Sequence, residues 1–589
     1  MPAPHLPFKH SSSHCFGRRR GLTLLGMGLL LVLGCHSPQS QDTQAGAPPP
    51  DAAGVSSVAS NESAATRVDD VAAETAVRRA AFQDKALAAP ALSAPLGHWH
   101  PAPSPAYPRT EQRERYPDAD PNPVKLVRDD PVSTFSIDVD SAAYANVRRL
   151  LTGGSLPTPD AVRVEEFINY FSYDYPQPQG DAPFSVTTEV APSPWNDDRS
   201  LLLVGLQGLR LAPGERKPAN LVFLVDVSGS MNAANKLPLL QKSLELLTRE
   251  LGERDRVSIV AYAGAAGEVL APTAGDETRR IRDAIAELRA GGSTNGGAGI
   301  ELAYRLAGSH HDPEAINRVI LATDGDFNVG TTDQDALRRL VERKRRAGIS
   351  LTVLGFGAGN YNDALMQELA QIGDGNAAYI DSIAEARRVL VDELGGTLQT
   401  IAKDVKIQVE FNPGAVREYR LLGYETRMLA REDFNNDAVD AGDIGAGHAV
   451  TALYELTLSG AANPSIDDLR YGAADAKRAF AGEELAYVKL RYKAPGGGSS
   501  RLLERAVTRD AAAIRLDGAS RNLRFAAAAA GFAELLRGAP YLGDFGYAEL
   551  AALAEPARGR DRSGYRSEFL QLVRTAQSLD ALQDPLASR

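Results

Sequence analysis

The chain has 589 residues, with 64 Lys and Arg against 75 Asp and Glu, and a formal net charge of −11. Such acidity argues against general nucleic-acid binding, which rests on neutralising phosphates with basic side chains. The two cysteines, Cys15 and Cys35, both lie near the N-terminus, which excludes a disulfide scaffold, cysteine-based zinc sites and a cysteine nucleophile in the folded body. Only His310, His311 and His448 lie beyond the first hundred residues, so chemistry that needs a histidine cluster has almost nothing to draw on.

Arg18, Arg19 and Arg20 form a positive segment, and Gly21 to Gly34 follows without a charge. A membrane-spanning helix needs about 20 apolar residues, so this stretch is too short to span. It fits the apolar region of an export signal. It ends Val32-Leu33-Gly34-Cys35, which resembles the lipobox of bacterial lipoproteins. In that family the cysteine thiol is diacylated and becomes the first residue of the mature chain. The resemblance implies a signal peptide over 1–34 and a lipid anchor at Cys35. By the same family's sorting rule, His36 after the cysteine, where Asp would retain the protein at the inner membrane, points to the outer membrane.

Residues 35–128 are rich in Ala, Pro, Ser and Gln, with eight prolines between Ala91 and Val124. This composition cannot bury enough apolar surface to offset ordering entropy, so it reads as a disordered tether. Pattern returns in a module over 129–180. Ser133 to Asp140 alternates as a strand, and Ser141 to Leu151 reads as a helix with Ser141 as its N-cap. Val162 to Phe171 reads as another helix. Asp138 and Asp140 suggest a calcium loop, but Ala142, Ala143 and Arg149 stand where an oxygen ligand, glycine and glutamate are needed. They read instead as a turn and helix cap. Ser185 to Val190 and Ser200 to Gly208, within 181–215, look like strands.

Over 216–398 strands and helices alternate. Leu221 to Val225 is a near-continuous apolar run, as a doubly covered parallel strand requires. Strands follow at Val257–Tyr262, Val319–Thr323, Ser350–Phe356 and Ala377–Ile380. Helices are expected at Leu237–Leu251, Thr278–Arg289, Ala298–Leu306, Gln334–Arg346, Asp363–Gln371 and Ile383–Leu398. The order predicts a doubly wound, mostly parallel α/β sheet, with ligands at the C-terminal strand ends. Region 399–510 reads as β-rich, with Val405, Ile407, Val409 and Phe411 alternating with polar residues. Its strands are expected to pair with those of 181–215 into one β-sandwich, the α/β domain being inserted between them. The stretch 511–589 reads as helical.

After the first apolar strand comes Asp226-Val227-Ser228-Gly229-Ser230. Asp, Ser and Ser at alternate positions point three oxygens to one side of a tight turn. Such oxygens suit a hard cation such as magnesium. Gly292-Ser293-Thr294-Asn295-Gly296, on a loop before a helix, offers a threonine oxygen. Thr323-Asp324-Gly325, at the end of another strand, offers a second carboxylate.

On these residues the region resembles a von Willebrand factor type A domain with a complete metal-ion-dependent adhesion site. The family's D-x-S-x-S falls on Asp226, Ser228 and Ser230, its threonine on Thr294 and its second aspartate on Asp324. The resemblance implies a bound divalent ion (Mg2+, or Mn2+ or Ca2+), with one coordination position open to an Asp or Glu of a partner protein. Two carboxylates and neutral hydroxyls would leave that ion near neutral. The whole chain further resembles bacterial lipoproteins of this class, which carry a short module before the A domain and a distinctive one after it. Phe135 to Arg149, and Glu432 to Asp437 through Gly445 to His448, look like the signatures of those modules.

Enzyme readings find less support. No H-E-x-x-H, G-x-S-x-G or G-x-x-x-x-G-K-S/T occurs. Ser228 has no evident histidine base, His310-His311 reads as a solvated pair, Gly496 to Ser500 as a hairpin turn, and Glu432 to Asp443 as a solvated loop. The leading expectation is a non-enzymatic, envelope-anchored protein-binding module. A metal-dependent hydrolase of envelope polymers and a scaffold with a purely structural metal are the alternatives.

Overall fold

The computed structural model describes residues 114–117, 120–212, 214–325, 327, 334–359, 361–393, 396, 398–467, 484–509 and 515–583. The signal peptide, Cys35 and the tether as far as residue 113 lie outside the described residues.

In chain order the first strands are β1 (Lys125–Leu126) and β2 (Val132–Ser136), followed by helices α1 (Ala142–Thr152) and α2 (Val164–Asn169). Strands β3 (Phe184–Pro192) and β4 (Arg199–Gly208) lead into β5 (Ala219–Asp226), the central strand of the α/β domain. The domain continues through α3 (Leu237–Leu247), β6 (Arg256–Tyr262), β7 (Ala266–Ala274), α4 (Thr278–Glu287), α5 (Gly296–Ser309) and β8 (Ile316–Thr323). It closes with α6 (Gln334–Arg346), β9 (Ser350–Phe356), α7 (Asp363–Ile372), β10 (Ala377–Ile380) and α8 (Ile383–Arg387).

The sheet order is β10-β9-β8-β5-β6-β7. All neighbours are parallel except β6 and β7. The apolar run of β5 is explained by burial on both faces. Leu221, Phe223 and Val225 enter one core with α3 and α4, while Val222 and Leu224 enter the other with α5 and α6. The chain leaves β5 for β6 on one side and later returns through β8 on the other. The ends of β5 and β8 therefore flank a topological switch point, the place where sheets of this kind bind ligands.

Downstream come β11 (Thr400–Phe411), β12 (Val416–Leu422), β13 (Gly442–Gly445), β14 (Ala449–Leu458), β15 (Glu484–Lys493) and β16 (Arg501–Thr508). The order β1-β12-β14-β4-β3 makes one sheet, so strands upstream and downstream of the α/β domain do pair. Leu203 of β4 lies opposite Leu453 of β14. The other sheet runs β13-β11-β15-β16, with β2 also on β11. Ile407, Val409 and Phe411 of that sheet meet Leu202, Val204, Leu206, Val450 and Tyr454 of the first in a shared core. Helices α9 (Arg521–Arg537), α10 (Tyr547–Ala557) and α11 (Tyr565–Gln583) pack with α1 and α2 in a separate core. That core contains Ala526 to Ala530, whose small side chains let α9 lie close to Phe167 and Phe171.

Several expectations need correction. The tether does not extend to 128: β1 pairs with β12, Arg115 N–H donates to Tyr361 O (3.0 Å), and Glu114 holds Arg149 at 2.9 Å. Ser141 precedes α1 but does not cap it; its hydroxyl accepts from Arg388. Asp138 does form a turn, accepting from Asp140 N–H at 3.0 Å, but both aspartates chiefly clamp buried Arg427, at 3.1 and 3.0 Å. The stretch 432–443 is not wholly solvated, since Lys406 reaches the backbone oxygens of Asp433 and Asn436, and β13 begins at Gly442. The helix expected over 383–398 becomes α8 and then a π turn, Arg388–Asp392. Strand β7 escaped sequence reading because Gly267 and Pro272 interrupt it, which an edge strand tolerates. Strand β12 escaped because its polar residues are buried in pairs, Arg420 with Glu534 at 3.3 Å and with Glu455 at 3.5 Å.

Charged side chains, rather than apolar contacts alone, join the first module to the α/β domain. Arg148 of α1 donates to Asp381 (2.7 Å), Glu385 (2.8 Å), Tyr170 (2.7 Å) and Glu568 of α11 (3.0 Å). Burial opposes ionisation of Glu385, but Arg388 and Arg148 outweigh it and hold the carboxyl at about 2. Removing one partner of a buried network leaves the others uncompensated, which costs about 3–5 kcal/mol. Arg148→Met is therefore expected to lose about that much stability in urea unfolding at pH 7. Glu385 is depressed below its ordinary 4.5, so its contribution is full above that pH and fades as pH falls toward 2. The unfolding midpoint should drop over that window in the parent, and less steeply in Arg148→Met. Equal slopes would show that the pair does not set acid stability.

Candidate metal centre

The turn after β5 is shaped by its own hydrogen bonds. Asp226 is fully buried, and its Oδ1 accepts from Ser228 N–H at 2.8 Å. Its Oδ2 accepts from the Tyr262 and Thr323 hydroxyls, each at 3.3 Å. Ser228 and Ser230 bring their Oγ atoms to 3.0 Å of each other, Ser228 buried and Ser230 exposed. Burial pushes Asp226 above the usual carboxylate range, and Asp324 nearby adds to this against the hydrogen bonds from Ser228.

The loop that carries Thr294 is laced to this turn. Gly229 N–H donates to Gly292 O (3.0 Å), Gly291 N–H to Val227 O (2.7 Å), and Asn295 N–H to Ala263 O (2.7 Å). Gly292 adopts φ +82°, which a side chain would strain. Thr294 stands half-buried between these anchors. Behind it, Gly299 of α5 lies so close to the sheet that a Cβ there would meet Tyr262 at 2.8 Å, so the helix presses the loop against the ends of β5 and β6. Asp324 is fully buried immediately after β8. The five predicted residues therefore sit on three segments gathered at the switch point, while His310 and His311 lie exposed at the far end of α5.

Three contributors escaped sequence reading. Tyr262 and Thr323 orient Asp226. Lys236 matters more: its Nζ donates to Asp324 Oδ2 at 2.8 Å, and the side chain is only 9% exposed. Its stem packs on Gly357, at φ +81°, where a Cβ would come within 2.2 Å of it. No motif marks Lys236; the only sequence signal is a cation just before α3. It changes the charge count. With both aspartates ionised the cluster carries one net negative charge, so a divalent ion would leave it positive rather than near neutral.

The donor set fits a hard divalent ion. It consists of oxygens alone. Two neighbouring ligands of an octahedral ion with bonds near 2.1 Å stand about 3.0 Å apart, the separation of the two serine oxygens.

A doubly wound sheet with this oxygen cluster at its switch point defines a von Willebrand factor type A domain, and the family model described as "von Willebrand factor type A domain" matches residues 220–392. A second, "von Willebrand factor", matches 110–203, starting inside the stretch read as tether, and "Uncharacterized protein YfbK, C-terminal" matches 396–579. The Uncharacterized protein YfbK of Escherichia coli (strain K12) is 46% identical over 474 residues, which cover 79% of this chain and 81% of that one. The chain belongs to the YfbK family of von Willebrand factor type A domain-containing proteins. The inter-alpha-trypsin inhibitor heavy chain H4 of Homo sapiens is 28% identical over 228 residues, 36% of this chain and 24% of that one. Among solved structures, a von Willebrand factor type A protein from Catenulispora acidiphila aligns with a TM-score of 0.38 at 16% identity, covering 67% of this chain and 89% of that one.

Lys236 supplies a direct test of the site's electrostatics. Lys236→Met removes a buried countercharge of Asp324 and is expected to cost about 3–5 kcal/mol without metal. Millimolar magnesium should restore more stability to the variant than it adds to the parent, read as the shift in thermal midpoint. Equal shifts would mean that Lys236 and the ion do not share Asp324.

Proposed function

We propose that this chain is a lipid-anchored cell-envelope protein that captures a partner protein through a divalent ion. Asp226, Ser228, Ser230, Thr294 and Asp324 would hold the ion, and magnesium suits their hard oxygens best. Bound there, the ion supplies Lewis acidity toward a carboxylate of the partner. The chain's own residues do the rest. Tyr262 and Thr323 fix the Asp226 carboxylate, the Gly291–Gly292 hydrogen bonds hold the threonine loop in place, and Lys236 tilts the local charge toward an acidic visitor. The observation that carries the reading is the meeting of three sequence-distant segments around one oxygen cluster, with the exposed Ser230 at its rim. Domains of this type mediate protein–protein interaction. Catalysis has less behind it, since no histidine stands near the cluster among the described residues. The anchor is Cys35, with His36 directing the protein to the outer membrane.

Magnesium bound with an affinity of roughly 10–100 μM adds only about 1–3 kcal/mol at millimolar metal, so loss of the ion should leave the fold intact. The test is envelope cross-linking of the parent, Asp226→Ala and Ser230→Ala, with and without chelator, read by mass spectrometry. Partners should be lost on chelation and in both variants while thermal unfolding of Ser230→Ala stays close to the parent. Capture that survives both changes would refute the metal-mediated reading. Cys35→Ser should move the protein from the membrane pellet to the soluble fraction.

A further inference from the structure

A pocket lies where the modules meet, built by elements other than those of the metal cluster. It has a volume of about 470 Å³, with walls from the segment after α2, the π turn after α8, the start of α9 and the turn between α10 and α11. Seven arginines line it, Arg210, Arg388, Arg521, Arg558, Arg560, Arg562 and Arg566, against four acids, Asp174, Asp392, Glu393 and Asp561. In a chain of net charge −11 this is a concentration of one sign that opposes the whole.

Most of the acids are already committed. Glu393 pairs with Arg388 at 2.7 Å, Asp392 accepts from the Tyr565 hydroxyl at 2.8 Å, and Asp561 accepts from Ser567 N–H and Oγ at 2.8 and 2.7 Å. Arg566 is locked over Phe525 at 4.2 Å and donates to Ser172 O at 2.8 Å. Among the described residues no side chain or backbone oxygen hydrogen-bonds to Arg521, Arg560 or Arg562. The turn bearing the last two is bounded by two glycines in the left-handed region, Gly559 at φ +63° and Gly564 at φ +83°. Arg521 lies against Gly559, its Nη1 3.0 Å from where a Cβ would sit. Unneutralised guanidiniums gathered around one concavity repel one another, and an anion relieves that repulsion. Guanidinium forks match the oxygens of phosphate and carboxylate, but a carboxylate takes one fork whereas a phosphate offers three or four oxygens to several.

We propose that this pocket binds a ligand bearing phosphate, with Arg521, Arg560 and Arg562 closing on its oxygens. A lipid headgroup and a soluble phosphate ester share this chemistry. The walls come from the first module, the A domain and the C-terminal helices, so an occupant would bridge all three.

The test uses the whole purified chain with chelator present throughout, which separates it from the metal centre. Sodium pyrophosphate is titrated calorimetrically at fixed ionic strength into the parent, Arg560→Gln/Arg562→Gln, and the control Arg279→Gln, whose side chain is exposed on α4. Sedimentation with phosphatidylglycerol and phosphatidylcholine vesicles is measured in parallel. Binding at least tenfold weaker in the double variant and unchanged in the control supports the site. Vesicle binding lost in the same variant assigns the phosphate to a lipid headgroup, and pyrophosphate binding without vesicle binding assigns it to a soluble ester. Failure of both probes to bind, equal binding by parent and double variant, or sulfate matching pyrophosphate would overturn it.

Discussion

Two buried carboxylates at the ends of neighbouring parallel strands set the terms for this molecule. Asp226 and Asp324 are both shut away from water, and each raises the cost of charging the other. A fold that keeps such a pair must supply positive charge or hydrogen-bond donors at that point. Here it does both. Lys236 reaches across from the segment before α3 to Asp324, and Ser228, Tyr262 and Thr323 donate to Asp226. Against the two carboxylates Lys236 brings one positive charge, a balance that favours a further cation under the proposed reading.

The same economy of charge governs the joints between modules. The first module is held to the A domain by Arg148 and Arg163, which face carboxylates of that domain, and by Arg388 of the domain, which donates to the Ser141 hydroxyl and lies over the Tyr170 ring. Such joints are directional: a guanidinium fork accepts one geometry, whereas apolar packing tolerates sliding. The helical core meets the A domain through Arg148 and Glu568, and the β-sandwich meets it through Lys403 with Asp374 at 2.6 Å and Asp440 with Arg345, which fixes the orientation of the A domain on its neighbours. The arginine-lined pocket lies along the same seam, so positive charge serves both cohesion and exposure there.

How much was legible follows from period and spacing. The apolar run Leu221–Val225 and the helices between strands announced a parallel sheet, because burial on both faces leaves no room for alternation. The pairing of upstream with downstream strands was also legible, from alternation on either side of the inserted domain. Strands β7 and β12 were not. One carries Gly and Pro at an edge, and the other hides Glu418 and Arg420 in buried pairs, so neither shows the expected pattern of apolar residues. The tether was drawn too far, into the described residues from 114 on, because their proline-rich composition resembles a tether, while their ordering rests on a handful of long-range backbone hydrogen bonds and the Glu114–Arg149 pair.

By itself the amino-acid order determined the α/β topology and the chemical kind of five oxygen donors, since those depend on local periodicity and on residue type. It also marked Cys35 and the region before it, outside the described residues. Only the tertiary structure decided that Lys236 stands on Asp324, that Tyr262 and Thr323 orient Asp226, and that seven arginines from distant segments line one pocket. The reason is physical. Electrostatic energy depends on distance through space, and no spacing along the chain records which charges folding will bring within reach.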